Sequence, residues 1–110
     1  MNRDTGEPTT VSAESRSLSG TRLRPNLTTD QAVAILNHGQ QITVTLQIPG
    51  HEPYTVAELS PVTLASNRAN IEFDFTPFET SDIADARAYR DAVEQAVAIA
   101  DEWTAQRRGK

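Results

Sequence analysis

The feature that most constrains this chain is a segment near its middle in which apolar residues recur at every second position. Over residues 42–48, large aliphatic residues alternate with Thr and Gln, which is typical of a strand with one buried face and one wet face. Pro49 and Gly50 follow and match the central pair of a type II turn, because proline presets φ and glycine tolerates positive φ. A β-hairpin is therefore predicted.

Two further apolar segments extend this sheet. The return strand, residues 54–64, contains Pro61, which lacks a ladder donor and predicts a bulge, a bend or an edge. The third strand, residues 71–75, places Ile and Phe on one side and Glu72 and Asp74 on the other. These segments predict a three-stranded antiparallel meander, or four strands if Pro61 splits the second.

Helical spacing flanks the sheet on both sides. Thr28 and Gln31 form a capping box that predicts a helix over residues 29–38. Ser81 is predicted to cap a second helix over about residues 82–106. The apolar stripe predicted for this second helix is widened by Ile99 and consists otherwise of Ala86, Tyr89, Val93, Ala96, Val97, Ala100 and Trp103.

The predicted fold is therefore α+β with the order α-β-β-β-α. We expect both helices to pack on the apolar face of the meander and to leave its Thr, Gln, Glu and Asp face in water. Residues 1–25 are rich in Ser, Thr, Arg, Gly and Pro without any period, and we expect a disordered arm there. Residues 26–106 then form a single domain, and residues 107–110 a basic tail.

The charge of the chain is unevenly distributed. Residues 26–106 hold three arginines and twelve acidic residues, a net −9, while residues 1–25 carry +1 and residues 107–110 carry +3, giving −5 in all. An acidic body disfavours binding to phosphate backbones, because basic surface supplies most of that affinity.

Several classes of chemistry are excluded or disfavoured by composition. The chain contains no cysteine, which excludes disulfides, thiolate catalysis and cysteine-ligated metals. No stretch approaches the roughly 18 apolar residues that a membrane-spanning helix needs, and the N-terminal residues do not resemble a signal peptide. We therefore expect no membrane association and a cytoplasmic location.

No motif with catalytic spacing stands out. Glu72 and Asp74 point the same way on one strand and could hold a divalent cation or act as acid and base, but no third ligand stands at a readable spacing. Alternating charge that discourages edge pairing is the simpler interpretation. His38 and His51 have no partner at a recognised spacing. We expect no catalytic residue, no metal ligand and no cofactor.

The main hypothesis is thus a non-enzymatic protein–protein interaction module, such as an adaptor, an inhibitor or an assembly component, whose partner is a protein. Its expected surface is an acidic helix face formed by Asp91, Glu94, Asp101 and Glu102, with Trp103 beside it. Large aromatic residues are common interface anchors. Trp103 also continues the apolar stripe, so a core position is the competing interpretation.

The main hypothesis also includes a mobile basic arm that meets the same protein partner, and a homodimer through small residues of the last helix, where Ala88 and Ala92 lie partly off the predicted stripe. Two other hypotheses stay open. The first is nucleic-acid binding through the basic ends, with contacts from Arg16, Arg22, Arg24, Arg107 and Arg108. The second is a small metal-dependent or acid–base enzyme that uses Glu72 and Asp74.

Overall fold

The computed structural model of the chain describes residues 9–16, 22–63 and 69–108. These residues form an α+β domain with an antiparallel sheet and two helices. The strands are β1 (Thr10–Arg16), β2 (Arg22–Arg24), β3 (Ile42–Gln47), β4 (Tyr54–Thr63) and β5 (Ala69–Phe75), and the helices are α1 (Thr29–Asn37) and α2 (Ile83–Arg108). The spatial order of the strands is β2-β1-β3-β4-β5.

The predicted meander is confirmed by strands β3, β4 and β5, which pair antiparallel in chain order. The predicted turn joins β3 to β4: the backbone N–H of His51 donates to the Ile48 carbonyl at 3.0 Å. Gly50 between them has φ of +80°, a conformation that a residue with a side chain adopts only with strain.

Pro61 does not split the return strand, because β4 runs through this residue, and of the predicted bulge, bend or edge the structure has the edge. Pairing between β3 and β4 extends only as far as Leu59 opposite Ile42, so no neighbouring strand needs the donor that proline lacks. The irregularity of β4 lies nearer its start, where its register with β3 shifts between Val44 and Thr45.

The main correction concerns the predicted N-terminal arm. The prediction of disorder is wrong for Thr10–Arg16, which forms β1 and pairs with β3 from Thr10 opposite Gln47 to Ser15 opposite Ile42. It is also wrong for the short strand β2. The other residues of this arm lie outside the described residues. Two strands therefore precede the predicted α-β-β-β-α order.

β1 is held by backbone pairing on both sides. The Leu27 N–H donates to the Ala13 carbonyl at 2.8 Å, on the side of β1 opposite β3. The side chains of Ala13 and Ser15 are small and buried, and α1 and α2 both contact this strand. Small residues thus let the strand lie close beneath the rest of the core, although they contribute little apolar surface of their own.

The polar face of the sheet is not left in water at β3, contrary to expectation. Thr43 and Thr45 are both buried. The Thr45 hydroxyl donates to the Ser12 carbonyl at 3.3 Å, and the buried Glu14 carboxylate accepts from Arg16 Nε at 2.8 Å. β1 thus supplies hydrogen-bonding groups to this face, which is the condition under which polar groups are buried at low cost.

The helix caps are partly as predicted. In α1 the Gln31 N–H donates to the Thr28 hydroxyl at 3.1 Å, and the Thr28 N–H donates to the Gln31 side chain at 2.9 Å, which confirms the capping box. In α2 the Ala84 N–H donates to the Asp82 carboxylate at 2.8 Å. Asp82 rather than Ser81 therefore caps α2.

The buried stripe of α2 is rotated from the predicted one. Ala86 and Val97 are exposed, and the buried residues are Asp85, Ala88, Ala92, Ala96, Ile99 and Trp103. The alanines allow close approach of α2 to β1, β3 and β4, which it contacts. Because Ala88 and Ala92 are covered by this chain's own core, they do not offer a surface to a second copy.

The placement of β1 is tested by Ala13→Leu. Ala13 is 1% exposed, so the larger side chain should overpack the core and lower the free energy of unfolding by about 1–3 kcal/mol. Thr10→Leu, at an exposed position of the same strand, is the matched control and should change stability little. Urea denaturation followed by circular dichroism measures both, and an unchanged midpoint for Ala13→Leu would contradict this placement.

Candidate functional site

The outer side of β5, called here the open edge, lies at one end of the sheet. β5 is the last strand of the sheet order, and among the described strands it pairs only with β4. Just after it, the Thr76 N–H donates to the Val56 carbonyl at 2.8 Å. Because bonded and non-bonded pairs alternate along antiparallel strands, Ile71, Phe73 and Phe75 direct their backbone N–H and C=O groups away from β4.

Two phenylalanines stand exposed on this strand. Phe73 is 36% and Phe75 is 42% exposed, although they lie opposite the buried residues Leu59 and Ala57 of β4. Their rings stack with centroids 5.5 Å apart and planes at 7°. The open edge therefore combines backbone groups that no described strand pairs with, and an exposed aromatic pair on one face of the strand.

The opposite face of the sheet carries a carboxylate trio, which consists of Glu72 and Asp74 of β5 and Glu58 of β4. Asp74 lies directly opposite Glu58 of β4, and Glu72 lies two residues along the strand, opposite Ser60. Like charges directly opposite each other destabilise a strand pair. Within the described part of the chain, none of the three is in an ion pair.

The carboxylate trio does not form a metal site. Among the described residues, no group of three or more His, Cys, Asp or Glu side chains is placed to hold a metal ion. Within the described ranges, Glu72 and Asp74, the pair on which the enzyme hypothesis depends, therefore do not belong to a group of three ligands, although Glu58 lies opposite Asp74. His38 and His51 are both exposed, and His38 Nδ1 donates to the Ala34 carbonyl at 2.7 Å.

Three aromatic residues hold the chain where it leaves β5. The rings of Phe78 and Tyr89 stack with centroids 5.4 Å apart, and Tyr54 lies 5.1 Å from Phe78. The Tyr89 hydroxyl donates to the Thr76 carbonyl at 3.0 Å, and the Tyr54 hydroxyl donates to the Pro77 carbonyl. These contacts tie the end of β5 to β4 and α2, so the open edge is presented on a supported strand.

The acidic helix face predicted from the sequence lies along α2. Asp91, Glu94 and Asp101 are exposed and Glu102 is half-buried. At the period of an α-helix, these four positions lie on one side of α2. The Asp91 carboxylate pairs with the Arg90 guanidinium at 3.1 Å, and Glu102 accepts from the Gln106 side chain at 3.0 Å. Two of the four carboxylates therefore already have partners within the helix.

Trp103 lies in the core, one of the two positions that the sequence left open. It is 4% exposed, and its indole Nε1 has no hydrogen-bond partner in the described part of the chain. With Arg107 it lines a cleft of about 250 Å³ between the end of α1 and the end of β4. The Arg107 guanidinium lies 4.6 Å from the ring centroid, a cation–π contact.

Among the described residues, no contact brings together the arginines that are expected to bind nucleic acid. Arg16 is paired with Glu14, and Arg107 lies over the Trp103 ring. Arg24 is exposed on β2. The side chains of Arg22 and Arg108 lie outside the described residues.

Comparison with known proteins supplies no family for this arrangement. No protein-family model matches the chain, and neither the curated proteins nor the solved structures contain a match. Neither described helix is both long and apolar enough to span a membrane. The function of this chain is therefore inferred from its residues and their geometry.

Hydrophobic alternation placed Phe73 and Phe75 correctly on the apolar side of the third strand but did not identify them as an exposed surface. Alternation reports which face a side chain occupies and not whether anything covers it. The remaining signal was that this strand ends the meander. A terminal strand with large aromatic residues is the one whose apolar face is most easily left uncovered.

The core position of Trp103 is tested by truncation. Trp103→Ala should lower the free energy of unfolding by about 3–5 kcal/mol, because it removes a large buried ring and leaves a cavity. Arg107→Ala should cost about 1 kcal/mol or less, since it removes only a cation–π contact at an exposed position. Urea denaturation followed by circular dichroism compares the two, and equally small effects would contradict the core position.

Proposed function

We propose that this chain is a non-enzymatic protein-interaction module that adds an extended segment of a partner protein to its sheet at the open edge of β5. The observation that carries the proposal is the combination of outward-facing backbone groups with the exposed Phe73 and Phe75 pair. In strand addition, main-chain hydrogen bonds supply affinity and alternate side chains supply specificity.

The position of the helices supports this assignment. α1 and α2 contact each other, and both contact β1, β3 and β4. We infer that both helices cover the same face of the sheet, centred on β3, with β5 extending past their cover. This arrangement accounts for the exposure of Phe73 and Phe75 on the face that is buried at Leu59 and Ala57.

The two edges of the sheet differ in the way that the proposal requires. β2, at the opposite edge, has three residues and is followed by Pro25, and short strands and proline are devices that discourage pairing with another chain. β5 has seven residues, none of them proline or lysine. The charged residues of β5 lie on one face only, so they select among partner strands rather than exclude all of them.

The remaining parts of the proposal are those predicted from the sequence. The acidic face of α2 is a second surface available to the same partner, and a cytoplasmic location agrees with the absence of cysteine. An adaptor, an inhibitor and an assembly component would all use strand addition in the same way. The basic ends stay as the alternative route to nucleic acid, and a homodimer would have to use a surface other than Ala88 and Ala92.

The proposal is tested with a displayed library of linear seven-residue peptides, a length that matches the seven residues of β5. Selected peptides should bind the wild-type protein and bind Phe73→Pro about tenfold or more weakly, because proline removes an outward N–H and the ring. Proline is tolerated on an edge strand whose N–H faces solvent, and circular dichroism checks the fold of the variant.

Two control variants show which part of the Phe73→Pro change weakens binding. Phe73→Thr keeps the outward N–H and loses the ring, so it should bind with intermediate affinity. Val97→Ala removes an apolar side chain of similar exposure, 43%, from α2 and should bind as the wild type does. Amide exchange should show Ile71, Phe73 and Phe75 becoming protected in the complex. A library that yields no binder, or binders indifferent to Phe73→Pro, would refute strand addition at this edge.

A further inference from the structure

We infer that the segment added to β5 alternates apolar residues with basic ones. The inference rests on the proposed function, because it specifies the partner chemistry of the same edge. A strand that pairs with β5 places its side chains directly opposite those of β5 on both faces. Its specificity is therefore set by what β5 presents on each face.

The two faces of β5 present different chemistry. Phe73 and Phe75 lie on one face and are exposed and stacked, so the partner residues beside them should be apolar or aromatic. Glu72 and Asp74 lie on the other face, and both are exposed. Since side chains alternate along a strand, these demands fall on successive residues of the partner.

The carboxylate face calls for positive charge. Asp74 lies opposite Glu58 on β4, and no described cation pairs with either residue or with Glu72. A lysine or arginine opposite Asp74 on an added strand would stand beside this like-charge pair and reduce its repulsion. An acidic partner residue at the same place would add a third negative charge to the row.

The same charges disfavour a second copy of this chain as the occupant. If two β5 strands paired antiparallel about Phe73, Glu72 of each copy would lie directly opposite Asp74 of the other. Such a sheet would contain two further like-charge pairs beside the existing pairs of Glu58 with Asp74. A basic strand relieves the repulsion that self-pairing would increase.

The inference is tested with three blocked seven-residue peptides in which valine alternates with lysine, threonine or glutamate. Blocking both termini removes their charges. Isothermal titration calorimetry on the full chain should show the lysine peptide binding about tenfold more tightly than the threonine peptide and the glutamate peptide weakest of all. The preference should shrink as salt is raised, because these charges are exposed.

A matched pair of variants separates local charge from the net charge of −5. Glu58→Gln with Asp74→Asn neutralises two members of the carboxylate trio, whereas Glu94→Gln with Asp101→Asn makes the same change in charge on α2. The first variant should lose most of the preference for lysine over glutamate, and the second should keep it. Equal losses in both variants would show that net charge alone attracts the peptide, and would overturn the inference.

The remaining outcomes distinguish the basic partner from other occupants and from another binding surface. If the threonine and lysine peptides bind equally and both depend on Phe73, strand addition stands and the basic partner is refuted. If only the α2 variant loses the preference, the acidic face of α2 is the binding surface and β5 is not. If the free wild-type chain dimerises with Ile71, Phe73 and Phe75 protected from exchange, a second copy is the occupant and the inference fails.

Discussion

The pairing of β1 with β3 is the contact on which the rest of this structure depends. With β1 on one side and β4 on the other, β3 is an interior strand, and both of its faces are buried. Pairing on both sides satisfies its backbone, so the core can be centred there without unsatisfied donors or acceptors. The edge strands are then β2 and β5, and β5 is the longer of the two, with seven residues against three.

Local patterns account for the parts of the fold that the sequence predicted. The hairpin at Pro49 and Gly50 and the capping box at Thr28 and Gln31 depend on residues within four positions of one another. Hydrophobic alternation likewise predicted β3 and β5, because each has large apolar residues at every second position. In each case the physical cause lies within the segment itself, and no distant partner is needed to recognise it.

β1 could not be recognised in this way. Ala, Ser and Glu are not strand-favouring residues, and Val11 is its only large aliphatic side chain. Its stability comes from a partner strand more than thirty residues away, as in the bond from Thr45 to Ser12, 33 positions apart. The rotation of the buried stripe of α2 has a similar cause. The close approach of the sheet requires small residues at Ala88 and Ala92, and a hydrophobic pattern alone does not reveal this requirement.

Only half of the candidate site could be predicted from the sequence, again because the rest depends on distant parts of the chain. Alternation assigned Phe73 and Phe75 to one face and Glu72 and Asp74 to the other, but it does not report which apolar residues are left exposed. In the proposed strand addition, the acidic residues would have two effects at one edge. They would oppose pairing of β5 with its own copy, and they would favour a strand of opposite charge.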